Sequence, residues 1–296
     1  MKLSHFLSPI LCALLACASC VPERHSGVVV ASKNFTEQAV LGEILAQYIE
    51  YRAKIPVERR LYLAGTFVCQ QAMLAGRADV YPEYTGTALT AVLKEKPSGD
   101  EAEVYDRVKQ GYAERFNFVV MPSLGFNNTF AVIIRGEEAR RLNIHTISDA
   151  AKYSSRWRAA FGYEFMERPD GYPGLARTYN LHFSQPPLAM DLGLLYRAIQ
   201  NHQVDLIVGS STDGLIRALD LVVLEDDRHY FPPYDAVPIV RMQTIQHYPL
   251  VKIALEELAG KISQEEMQKM NYAVDGEHRD AADVAAEFLK SKGLVR

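Results

Sequence analysis

Residues 28–47 read VVVASKNFTEQAVLGEILAQ. The unbroken apolar run Val28–Ala31 suits a strand buried on both faces, because a strand with one wet face alternates polar and apolar residues. From Val40 the period changes. Val40, Leu41, Ile44, Leu45, Tyr48 and Ile49 return at intervals of three and four, the spacing of one helix face. Between the two lies the polar loop SKNFTEQ, with Thr36 the candidate N-cap and acidic Glu37 in the first turn. Strand, polar loop and helix form one α/β unit. The free N–H groups of the helix N-terminus favour an anion in the loop.

The same grammar continues. RRLYLAGT, from Arg59, reads as a strand with a glycine turn, and a helix from Phe67 to Leu74 ends at Gly76. ADVYPEYTGTAL, residues 78–89, starts as a strand and becomes a loop with two tyrosines and Thr-Gly-Thr. Phe130–Arg135 and Leu219–Asp227 read as strands. Thr146–Tyr153 opens a helix with Ser148 as its N-cap, and Glu167–Tyr179 is a turn-rich loop running into a helix. The prolines hold His229–Arg241 extended. After Pro249 three helical patterns follow, the last ended by Gly293. Such alternation predicts an α/β fold with a mostly parallel sheet, whose ligands bind beyond the carboxyl ends of the strands. The YPEYTGT loop sits at such an end.

An internal echo sharpens this. AMLAGRADVYPEYTG from Ala72 aligns with AIQNHQVDLIVGSST from Ala198, matching Asp79 with Asp205 and Tyr84 with Ser210. Two similar lobes would each give one loop to a shared cleft. The alternative is that any two helix–strand units look alike.

The chain has 296 residues, enough for about two domains. A net charge of −4 argues against a nucleic-acid partner. At the N-terminus, Lys2 and the apolar run Phe6–Leu15 precede ACASC. This run is too short to span a membrane and fits a secretory leader. Leu14-Leu15-Ala16-Cys17 resembles a bacterial lipobox. Cys17 is the candidate acylated residue and Cys20 the second candidate, with cleavage without lipid as the alternative. Residues 1–20 are thus leader and lipobox, and 21–27 a linker. Beyond them only Cys69 remains, which excludes an internal disulfide framework and a cysteine metal cluster; it reads as a small buried apolar residue. No phosphate loop, G-x-S-x-G elbow or H-E-x-x-H helix is present. The acidic run Glu225–Asp227 reads as a solvated turn, and Glu83 lacks a partner carboxylate. Neither an enzyme, a cofactor nor a metal is expected.

SKNFTEQ, YPEYTGT, ERPDGYPGL, STDG and FPPYDA occur in that order. Together they resemble the extracytoplasmic binding proteins of ABC transporters for glycine betaine, choline and proline betaine, from about Val28 to Arg241 and more weakly beyond. The resemblance implies a two-lobed periplasmic-binding-protein fold of type II with the ligand cleft between lobes. Residues 28–129 and 232–296 would form one lobe and 130–231 the other. It implies a monomer, exported to the periplasm or cell surface and held at the membrane only by its lipid, that hands a small quaternary-ammonium solute to a membrane permease. A ligand-sensing lipoprotein of the same fold is the alternative role.

A quaternary ammonium has no N–H to donate, so it is gripped by ring faces at roughly 0.5–2 kcal/mol each. By motif, Tyr84 and Tyr234 would be such rings. Lys33, Thr87 and Arg168 would be polar contacts, charged ones meeting a ligand carboxylate. Asn128 and Phe130 would lie near the hinge. The chain departs from the family pattern twice: Ser210 stands where an aromatic usually precedes STDG, and Phe130 where a tyrosine is usual. The box is thinned on the second-lobe side. This predicts weak betaine binding or a bulkier ligand beside Ser210, ergothioneine being one candidate.

Overall fold

The computed structural model describes residues 27–296; the leader, with Cys17 and Cys20, and linker residues 21–26 lie outside the described residues. Two five-stranded sheets carry the fold. The first contains β1 (Val28–Lys33), β2 (Val57–Ala64), β3 (Val80–Tyr84) and β4 (Phe118–Val120). The second contains β5 (Phe130–Arg135), β6 (Ala159–Gly162), β7 (Leu188–Met190), β8 (Leu206–Ser210) and β9 (Leu221–Val223). The chain then returns to the first sheet as β10 (Ala236–Arg241). The strand orders are β2-β1-β3-β10-β4 and β7-β6-β8-β5-β9, two copies of one topology.

Each sheet is mostly parallel with one reversed strand. β10 runs antiparallel to β3 and β4, and β5 antiparallel to β8 and β9. In both cases the reversed strand is the one entered from the other sheet. The two crossings meet at an isolated antiparallel bridge, Asn127 to Asp235.

The sequence echo is a structural repeat, because matched residues make matched contacts. Tyr84 and Ser210 end β3 and β8, which hold the same place in the two sheets. Asp79 donates its N–H to Val29 (2.8 Å) and accepts the Val29 N–H on Oδ2 (2.9 Å). Asp205 does the same with Arg158, at 2.7 and 2.9 Å. The last residue of each reversed strand pairs with its aspartate, Arg241 with Asp79 and Arg135 with Asp205.

β1 is buried on both faces, as the Val28–Ala31 run predicts, while the edge strands β2 and β7 are largely exposed. Val28 and Val30 pack toward helix α1 (Thr36–Ala53), and Val29 and Ala31 toward helix α2 (Thr66–Leu74). All six residues of the expected α1 stripe are buried. Helices Gln264–Asp275 and Ala281–Ser291 cover α1 from the far side. Cys69 is fully buried, and burial pushes its thiol up to about 12.

Two local expectations are corrected. Phe35, not Thr36, holds the N-cap position of α1; the Thr36 hydroxyl donates to Asp275 at 2.5 Å. Thr146, not Ser148, caps its helix, through a reciprocal capping box with Asp149. The acidic run is a turn with Glu225 and Asp227 exposed, as expected, but its middle residue is engaged. Asp226 accepts the Tyr179 hydroxyl and the N–H groups of Tyr230 and Phe231, pinning the start of the return crossing.

Candidate ligand-binding site

A cavity of about 690 Å³ lies between the two sheets, at the carboxyl ends of their parallel strands. Lys33, Tyr84, Thr87, Asn128, Phe130, Arg168, Ser210 and Tyr234 all line it, so the structure brings together all eight residues singled out in the sequence.

The rings at the cavity form two groups. Phe130 starts β5 and lies 4.8 Å from Phe165, 5.4 Å from Tyr234 and 5.6 Å from Phe231 between centroids. Tyr84 ends β3, and Phe35 from the SKNF loop stacks on it at 6.4 Å. The carbon-only ring of Phe130 makes edge contacts with Phe165 and Tyr234, the preferred geometry for such pairs.

The two basic residues are held by the protein's own acids. The Lys33 ammonium is paired with Glu83, donates to Thr66 Oγ1 (3.1 Å) and sits 4.7 Å above the Tyr84 ring. Arg168 grips Asp170 with two N–H groups, at 2.8 and 2.5 Å, and donates to Thr87 Oγ1 at 3.0 Å. Its guanidinium lies 5.0 Å from the Phe130 ring. The Tyr234 hydroxyl completes the cluster by donating to Asp170 at 2.7 Å. Burial pushes the Asp170 carboxyl up, but the Arg168 guanidinium and the Tyr234 hydroxyl outweigh it and hold the group below the usual range.

Four acids, Glu164, Asp191, Asp213 and Asp275, line the cavity against Lys33, Arg168, Arg197 and His278. Glu164 reaches across from the second sheet's side to the N-terminus of α2, accepting from the N–H of Thr66 at 3.2 Å. The N-terminus of α2, rather than that of α1 where the sequence reading expected an anion, thus holds a carboxylate of the protein itself. Gly65 makes room for it: a Cβ there would lie 2.0 Å from the Glu164 carboxylate.

The residue that sequence reasoning missed is Glu37. It is 1% exposed and accepts four hydrogen bonds. Oε1 receives the Tyr84 hydroxyl (2.6 Å) and Asn128 Nδ2 (2.8 Å); Oε2 receives the Thr212 hydroxyl (2.5 Å) and Asn271 Nδ2 (3.0 Å). Burial raises its pKa, and these four donors only partly offset that. Glu37 fixes the Tyr84 ring, the crossing at Asn128, the STDG loop of the second lobe and a C-terminal helix to one group.

Comparison with known proteins places this geometry. The description of substrate-binding domains of ABC-type glycine betaine transport systems matches residues 26–291. The chain belongs to that family. The carnitine transport binding protein OpuCC of Listeria monocytogenes is 38% identical over 257 residues, covering 86% of this chain and 83% of that one. The Helicobacter pylori protein EgtU, named as an ergothioneine transport permease and ergothioneine binding protein, is 37% identical over 90% of this chain, which spans 48% of its length. A crystal structure described as a glycine betaine/carnitine/choline ABC transporter superposes with a TM-score of 0.74 at 34% identity, over 90% of this chain and 99% of that one. The chain is the solute-binding component of an ABC importer with the two-lobed fold of these relatives, and a membrane permease is its working partner. OpuCC is named as a transport binding protein and a Pseudomonas aeruginosa relative as a glycine-betaine-binding protein.

Asp213, in the STDG loop of this binding protein, faces the cavity beside Ser210. It accepts the Tyr196 hydroxyl and the Ser210 N–H (2.8 Å) on one oxygen. Burial pushes its carboxyl up to about 7. Its folded pKa is raised, so the folded state binds the proton more tightly than the unfolded chain. The group then costs stability as pH rises from the ordinary Asp range to about 7, the cost levels off above that, and it disappears in acid. Asp213→Asn keeps an acceptor for both donors and removes the titration. It is expected to stabilise the protein at pH 8 by ~1–3 kcal/mol while changing little at pH 4. Denaturant unfolding at the two pH values checks this; equal effects at both would contradict it.

Proposed function

We propose that this binding protein captures a quaternary-ammonium solute between its lobes, with Tyr84, Phe130 and Tyr234 facing the cation. Thr87, Asn128 and Ser210 provide the polar margin. The supporting observation is a ring-walled cavity whose own cations, Lys33 and Arg168, are each neutralised by a buried carboxylate, and whose remaining wall is acid-rich. A cation enters such a site with favourable electrostatics as well as ring contact. In this reading Lys33 and Arg168 organise the box, and a ligand carboxylate would have to compete with Glu83 or Asp170 for them. The mature protein is a monomer, exported and tethered through Cys17 or Cys20.

A larger betaine is the second reading, favoured by the cavity volume and by Ser210, which offers no ring at its own position on a second-lobe wall that also carries Phe130, Tyr163, Phe165 and Tyr196. Ergothioneine is a ligand of this kind. Calorimetry of the mature chain with glycine betaine, choline, carnitine and ergothioneine tests both readings. At least one is expected to bind in the micromolar range, and the tightest-binding solute identifies the ligand class. Binding of all four only at millimolar concentration or weaker would contradict the proposal.

A further inference from the structure

The β1–β2 pair contains an irregularity with a tyrosine at its centre. Ala31 pairs with Arg60 and Lys33 with Ala64, so β2 fits two extra residues into one step of the ladder. Tyr62 lies within that bulge at φ +61°, in the left-handed region. The other non-glycine residues with positive φ among those described lie outside strands, at helix ends or in loops; only Tyr62 lies inside one. A large side chain is strained there, and a glycine or asparagine would adopt that backbone more readily.

The surroundings hold the bulge in place. The Tyr62 N–H donates to the hydroxyl of Ser32, which is fully buried in β1, at 3.1 Å. The preceding Leu61 packs over Gly42 of α1, where an added Cβ would meet its side chain at 2.5 Å. The tyrosine ring itself contributes little to the core: it is 53% exposed and lines the mouth of the cavity from the first lobe. It stands within electrostatic reach of Asp191 and Asp275, two acids of the same wall. Bulges next to binding sites re-aim a side chain, and backbone strain persists where function uses it.

We propose that Tyr62 is a ligand-contacting, specificity-determining residue: the bulge places it on the wall of the cavity that Ser210 also lines, so that the first lobe adds a ring where the Ser210 position supplies none. This rests on the quaternary-ammonium reading and extends it by one residue. The strain at Tyr62 then exists for the ligand, so affinity and stability should separate on substitution.

Choline and glycine betaine serve as probes, by calorimetry on the mature wild-type chain and on Tyr62→Phe, Tyr62→Ala and Tyr62→Gly. The unliganded Tm of each is measured alongside. Tyr62→Phe keeps the ring and should bind within about threefold of wild type. Tyr62→Ala and Tyr62→Gly should bind roughly five- to tenfold more weakly. Tyr62→Gly should nonetheless show an unliganded Tm equal to or above wild type, since glycine accepts the left-handed backbone. Two results overturn the inference: the alanine and glycine variants binding within twofold of wild type, or Tm falling together with affinity in Tyr62→Gly. If wild type binds neither of these nor any other quaternary amine, the functional reading falls and this inference with it. If wild type binds and the variants bind equally well, only this inference falls.

Discussion

Glu37→Ala will damage this protein more than removal of any single ring from the cavity. The change strands four donors at once: the Tyr84 hydroxyl, the Asn128 and Asn271 amides and the Thr212 hydroxyl. A buried donor left without a partner costs about 1–3 kcal/mol, and partial relaxation reduces the sum. A loss of about 3–5 kcal/mol in unfolding free energy is expected, at the top of the range for single substitutions. Affinity should fall by at least tenfold as well, because Tyr84 loses the bond that orients its ring and Thr212 the one that holds the second lobe's loop. Glu37→Gln keeps the shape and one acceptor oxygen but turns an amide N–H₂ toward two donors, so an intermediate loss is expected. Urea unfolding and calorimetry on the three chains measure both effects. A Glu37→Ala protein within about 1 kcal/mol of wild type would show that the four bonds are incidental.

Arg168→Ala is expected to have the next largest effect, for a different reason. Asp170 would stay buried with its charge and only the hydroxyls of Tyr234 and Thr90 as partners. Removing one member of a buried ion pair typically costs about 3–5 kcal/mol, since the survivor's charge is left uncompensated. The Thr87 contact, which joins the two lobes directly, disappears with it, as does the guanidinium over Phe130. Arg168→Lys should recover only part of the loss. An ammonium restores the charge but cannot match the two-pronged contact to Asp170 while also reaching Thr87. Unfolding free energies in the order wild type, lysine, alanine are predicted. Equal stability of the lysine variant and wild type would mean that charge alone matters here.

Much of this architecture is legible in the sequence because buried strands and amphipathic helices differ in period. The Val28–Ala31 run and the Val40–Ile49 stripe fix strand, loop and helix without outside help. The echo between Asp79 and Asp205 is legible too, since the same main-chain closure demands the same residue twice. The reversal of β5 and β10 is not, because strand direction there follows from where the chain crosses rather than from side-chain pattern. The eight site residues belong to or adjoin short sequence motifs, and all eight line the cavity. Glu37 escaped because its role depends on partners 175 and 234 positions away, and locally it looks like an ordinary first-turn acid. Lys33 and Arg168 suggested free donors because their acids, Glu83 and Asp170, read as loop residues when taken alone. Tyr62 is invisible to a period of two, since a bulge is where that period fails.

The central claim is that a cation is held by ring faces in an acid-rich cavity. Choline and 3,3-dimethyl-1-butanol, its uncharged carbon isostere, have nearly the same shape and differ in the charge at the quaternary centre. Calorimetric titration of both into the mature chain isolates that charge. If the rings and acids act as described, choline binds at least about tenfold more tightly than the isostere, the equivalent of one desolvated cation–π contact. Equal affinity for the two, or tighter binding of the isostere, would contradict the account.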